Sequence, residues 1–130
     1  MYPMLPEFLL EETTVREAGT GPVISLGDQA GEALILTLGI TRIIEQESID
    51  VSILGSIDGT DWSAKPITSF PQKFYCGTYQ IFCDLTGRPE IKHLRAKWAV
   101  NRWGKGDLKP RFSIYLFAQA GRRQAVRATA

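Results

Sequence analysis

Apolar side chains recur at every second position through most of the chain. In residues 32–40, Leu34, Leu36, Leu38 and Ile40 fall on one face, with Ile35, Thr37 and Gly39 on the other. A period of two is that of a β-strand, and apolar residues on both faces predict partial burial of both. Residues 48–54 repeat the pattern, with Ile49, Val51 and Ile53 inward and Asp50 and Ser52 outward. Residues 77–85 set Tyr79, Ile81, Cys83 and Leu85 against Thr78, Gln80 and Asp84. Residues 93–100 alternate most cleanly, with Leu94, Ala96, Trp98 and Val100 against His93, Arg95, Lys97 and Ala99. Residues 111–119 place Phe112, Ile114, Leu116 and Ala118 opposite Arg111, Ser113 and Gln119. These runs predict clear strands, and weaker ones are expected near 23–26, 41–45 and 67–74.

Turn chemistry separates the runs: Asp58-Gly59, then Thr86-Gly87-Arg88-Pro89, then Gly104-Lys105-Gly106-Asp107. Short strands divided by such turns predict an all-β antiparallel sandwich, jelly-roll-like, over residues 21–120. No long helical pattern alternates with the strands, which disfavours a parallel βαβ sheet. Residues 1–20 read differently, as an N-terminal arm. Met4, Leu5, Phe8, Leu9 and Leu10 are apolar, but Pro3 and Pro6 punctuate them and acids follow. The arm is expected either as a short helix from Pro6 to Arg16 or as an extended segment lying across a neighbouring subunit. Residues 121–130 form a basic tail with Arg122, Arg123 and Arg127 and no acid.

A chain of 130 residues fits one domain and can bury a core without metal or disulfide staples. The formal net charge of +1 provides no global field for nucleic acid, and no apolar run reaches the length of a membrane helix. Neither partner is expected. The ends are oppositely charged, with Glu7, Glu11, Glu12 and Glu17 near the start against the arginines of the tail. Residues 1–10 contain Pro3, Pro6 and Glu7 and no basic leader, which is unlike a signal peptide. The reading is a soluble protein not exported by the standard route, its compartment otherwise open. Cys76 and Cys83 on one continuous strand would lie roughly 23 Å apart, beyond disulfide reach, so free thiols are expected unless a turn at Gly77 shortens the gap. A lone His93 cannot complete a Cys/His metal set, and no metal or cofactor is expected.

Two stretches carry candidate recognition chemistry. In Ser56-Ile57-Asp58-Gly59-Thr60-Asp61-Trp62, Gly59 allows a positive φ, Asp58 can cap the turn, and Trp62 begins a returning strand. The plain reading is a hairpin turn with a packed tryptophan. The functional one is a loop presenting Asp58, Asp61 and Trp62. The S-x-D-G-x-x-W spacing resembles a turn of discoidin-like (factor 5/8 C-type) sandwich domains, and Ile91-Lys92-His93-Leu94-Arg95 is similar to a strand of theirs. That resemblance implies a sandwich that binds carbohydrate or membrane surfaces, although the terminal cysteine pair of extracellular members is absent. The run from Phe74-Tyr75-Cys76-Gly77-Thr78-Tyr79 through Asn101-Arg102-Trp103-Gly104 also resembles small bacterial and phage sandwich proteins of unassigned activity. The second stretch is Arg102, Trp103 and Lys105 beside a glycine-rich loop. Together they could stack on a sugar, a base or a partner's carboxylate. The plain alternative is a tryptophan closing the end of the sandwich beside solvated cations.

Catalysis finds little footing. His93 is expected on an outward face between Lys92 and Arg95, with no nucleophile assigned to it. Cys76 beside Gly77 is a candidate reactive thiol, and Cys83 reads as core. The sequence therefore points to a non-enzymatic structural protein that self-associates or decorates a larger particle, such as a phage particle, shell or filament. Phe8, Leu9 and Leu10 of the arm, with Tyr115 and Phe117 on the outward face of the last strand, are the expected assembly contacts. The alternative is a carbohydrate-binding module of discoidin-like type that uses the turn and the Trp103 loop.

Overall fold

Nine strands form among the described residues, five of them where the sequence alternates. The computed structural model describes residues 7–27, 30–62, 65–104 and 109–121. In chain order the strands are β1 (Glu7–Val15), β2 (Gly19–Thr20), β3 (Ile24–Ser25), β4 (Ala33–Ile43), β5 (Glu47–Ser56), β6 (Thr68–Ser69), β7 (Gly77–Asp84), β8 (His93–Arg102) and β9 (Phe112–Ala120). One sheet runs β1-β9-β4-β7 and the other β2-β8-β5-β6, with β3 also on β8. All pairings are antiparallel. With β2 and β3 counted as one interrupted strand, this is the strand order of a jelly roll, so the all-β sandwich expected from the sequence is the fold observed.

The core lies between the sheets, where the inward positions meet. Leu34, Leu36, Leu38 and Ile40 of β4 are buried, as are Ile49, Val51 and Ile53 of β5, and Phe112, Ile114, Leu116 and Ala118 of β9. β8 contributes Leu94, Ala96 and Trp98. The Trp98 indole N–H donates to the Glu17 carbonyl at 3.0 Å, so its one polar atom is satisfied where it leaves the core. Gly19 lets β2 lie flat on that indole, since a Cβ there would sit 3.1 Å from the ring.

Residues 7–15 form neither a helix nor an arm across a neighbour. They are the edge strand of the chain's own four-stranded sheet, paired with β9. Register shifts between Phe8 and Leu10 and between Leu10 and Thr13 let the consecutive Leu9 and Leu10 both enter the core. The stretch 41–43 continues β4 and is not a separate strand, while the weak run at 67–74 contracts to β6 with one bridge from Lys73 to Ile49.

Glu47 is a buried acid at the start of β5. One carboxylate oxygen accepts from the Arg111 N–H at 2.7 Å and the other from the Ile44 N–H at 3.0 Å. It ties the β4–β5 turn to the entry of β9. Next to it, Gln46 holds φ 60°, a left-handed conformation, and its carbonyl accepts from the Trp103 N–H at 3.0 Å.

Candidate functional site

The two sequence candidates stand at opposite ends of the sandwich. Ser56 pairs with His93 at one end of β5, and Glu47 pairs with Arg102 at the other. The length of β5 separates them by about 30 Å. Asp58, Asp61 and Trp62 therefore share no surface with Arg102 and Trp103. Lys105 lies outside the described residues.

The first candidate is largely consumed by its own turn. Ser56 Oγ accepts from the Gly59 N–H at 2.8 Å and donates to the Asp61 carbonyl at 2.7 Å. Asp58 Oδ1 accepts from the N–H groups of Thr60 and Asp61, both at 2.9 Å. The Asp61 and Thr60 amides hold the Asp58 carboxyl far below its ordinary value. Gly59 adopts φ 84°, as the turn requires. Trp62 does not begin a strand, because β6 starts only at Thr68. Its ring is half-buried beneath the Arg95 guanidinium, 5.3 Å from the ring centre, and Arg95 in turn donates to the Gly21 carbonyl. His93 is half-buried against Gly59 rather than solvated. A hollow of about 290 Å³ opens beside this turn, lined in part by Asp58, Asp61, Arg88 and Glu90.

The other end carries exposed aromatics. Trp103 does not plug the core. It is 54% exposed and meets Phe74 edge-on, the ring centres 6.1 Å apart. Tyr75, 72% exposed, lies beside Phe74 at 6.3 Å. The Tyr79 hydroxyl donates to the Tyr75 carbonyl at 2.9 Å, while Lys73 Nζ sits 4.0 Å over the Tyr79 ring. Phe74 and Tyr75 were not singled out from the sequence. Only their adjacency to one another was visible there, not their approach to Trp103.

A third surface is the outward face of the β1-β9-β4-β7 sheet. Cross-strand register sets Phe8 beside Phe117, Phe117 beside Thr37, Tyr115 beside Gly39, and Ile35 between Gln119 and Phe82. The rings of Phe8 and Phe117 meet edge-on at 5.0 Å, and Phe8 reaches Tyr115 at 6.1 Å. Gln80 donates to the Thr37 hydroxyl at 3.1 Å. The centre of this grid carries no charge, while Glu7 and Glu11 border Phe8 and Phe117. The opposite sheet contrasts with it, turning Asp50, Arg95 and Lys97 outward. Of the expected assembly contacts, Phe8, Tyr115 and Phe117 lie on the aromatic face, whereas Leu9 and Leu10 are spent in the chain's own core.

Cys76 is exposed and Cys83 buried, both as free thiols. Burial, reinforced by Asp84, pushes the Cys83 thiol up to about 11. Among the described residues no three His, Cys, Asp or Glu side chains converge as a metal site, and no helix is long and apolar enough to cross a membrane. Comparison with known proteins found no matching family model, no matching curated protein and no matching solved structure.

Proposed function

We propose that this chain is a non-enzymatic structural protein that self-associates or decorates a larger particle, through the outward face of the β1-β9-β4-β7 sheet. The observation that carries the reading is the aromatic grid on that face. Phe8 is 44% and Phe82 61% exposed, with Tyr115, Phe117 and Ile35 half-buried between them. Four strands about 4.8 Å apart, crossed over residues 35–39, give it a footprint of roughly 300 Å². The largest apolar patch of a monomer is itself about 300–600 Å² and is often functional. Ile35, Thr37, Gly39 and Phe117 at the centre of the face carry no charge, so two copies can meet there without like charges opposing, as a self-complementary interface requires.

The test is a light-scattering mass over a range of concentrations for the wild type and for Phe117→Lys. A defined assembly that dissolves in the variant is expected. A wild type that stays monomeric throughout would refute the reading. Deleting residues 1–12 is a poorer test, because it strips Leu9 and Leu10 from the core.

The exposed trio of Phe74, Tyr75 and Trp103 favours a second reading, a carbohydrate-binding module like the discoidin-type domains the Asp58–Trp62 turn resembles. Exposed aromatic rings suit stacking against sugar faces. Titration with an oligosaccharide panel, followed by tryptophan fluorescence, tests it. Saturable quenching that Trp103→Ala abolishes is expected, and a flat response across the panel would discard it.

A further inference from the structure

We infer that the outer edge of β7 is a pairing edge, and that it joins antiparallel to β7 of a second copy to make one continuous sheet. The inference rests on the self-association reading and names the seam through which it begins.

The sandwich guards its other sheet edges. β1 is broken by register shifts and carries Glu7, Glu11 and Glu12. β6 has two residues, and β2 and β3 have two each, parted by Gly21, Pro22 and Val23. Short length, charge, proline and bulges are the ordinary means of preventing edge-to-edge pairing. β7 has none of them. It holds an unbroken register with β4 from Gly77 opposite Ile40 to Asp84 opposite Ala33, and it contains no proline, lysine or arginine. Its single acid is the last residue, where Asp84 Oδ1 is engaged by the Thr86 N–H and hydroxyl. Among the described residues, no strand pairs with its outer edge.

The hydrogen-bond phase gives the register. The Leu85 N–H donates to the Glu32 carbonyl, one step beyond the β4–β7 ladder. Antiparallel pairs alternate, so Tyr79, Ile81 and Cys83 turn their main-chain groups toward β4. Thr78, Gln80 and Phe82 then turn theirs to the free edge. A two-fold axis through Gln80 sets Gln80 against its own copy and Thr78 against Phe82, so that donors meet acceptors in about six backbone bonds. Thr78, Gln80 and Phe82 carry no charge, so the two-fold axis brings no like charges together at the seam, and a second copy is the occupant. Pairing there also lays two aromatic faces side by side, with Phe82 at the seam. One face alone, at roughly 300 Å², falls well short of the ~800 Å² per partner of a standard interface. The joined platform is about twice as wide.

Gln80→Pro tests the seam, because proline at this position removes an edge donor without taking a bond from the β4–β7 ladder. The full-length chain is compared with the variant by sedimentation equilibrium, with circular dichroism as the folding check. Amide exchange of the wild type supplies a measurement that needs no variant. An assembly whose Thr78, Gln80 and Phe82 amides exchange as slowly as those of Tyr79 and Ile81, and which Gln80→Pro reduces to folded monomer, bears the inference out. If the wild type assembles but those amides exchange like loop amides, or if folded Gln80→Pro keeps the wild-type mass, the seam is wrong and the face reading stands. A wild type that is monomeric at every concentration overturns both.

Discussion

Replacing Glu47 by alanine should loosen the end of the sandwich where Trp103 sits, and the structure sets the size of the effect. The carboxylate satisfies the N–H groups of Ile44 and Arg111 and is itself buried. A donor left unsatisfied costs about 1–3 kcal/mol. Both bonds are only partly buried, so water can reach the abandoned donors and the low end applies, giving about 2–3 kcal/mol for the pair. For a domain of this size each kcal/mol moves the melting temperature by roughly 3–5 °C, so a drop of about 10 °C is expected in thermal unfolding followed by circular dichroism. Glu47→Gln keeps one acceptor oxygen and turns a donor toward the other N–H, so its melt should fall between wild type and alanine. The Ile44 and Arg111 amides should exchange faster in both variants. A melting shift under about 2 °C for Glu47→Ala would mean that the clamp is ornamental and that the β4–β5 turn is held by packing alone.

The Asp58 turn makes stability depend on acid. A carboxyl whose folded value is depressed contributes fully above its unfolded value, near 3.8, and its contribution is lost as pH falls below that toward the folded value. Chemical denaturation should therefore lose stability below pH 3.8, and Asp58→Asn should flatten that part of the profile. The two thiols should separate cleanly in a native labelling assay. Cys76 should react with a disulfide reagent at once, whereas Cys83, buried and poorly ionised, should react only as the chain unfolds. Trp98 and Trp103 also divide: Trp98→Ala should cost about 3–5 kcal/mol in equilibrium unfolding, as loss of a large core side chain does. Trp103→Ala should stay within about 0.5 kcal/mol of wild type.

The strands legible in the sequence are those where burial follows the pleat. Leu34, Leu36, Leu38 and Ile40, or Phe112, Ile114 and Leu116, announce both the strand and its inward face. β1 was not legible because a bulge places Leu9 and Leu10 on the same side, and two adjacent leucines after prolines look as much like a helix as a strand. Glu47 escaped notice for a different reason: a glutamate reads as surface until a tertiary partner such as the Arg111 amide is known. The Asp58 turn was readable as a turn, since Ser56, Asp58 and Gly59 settle it locally. That it faces away from Trp103 depends on strand order, which spacing does not reveal. The aromatic face was half visible, in Phe8, Tyr115 and Phe117, expected together as assembly contacts. Ile35 and Phe82 join it only through cross-strand register.

Gly39 shapes that surface. A Cβ there would lie 2.0 Å from the Tyr115 ring, so the phenol rests directly on bare main chain in the middle of β4. Any other residue would lift the ring and raise a ridge across the sheet. By leaving the position empty the chain keeps the middle of its aromatic side low, and whatever comes to rest there meets one ring lying on bare main chain.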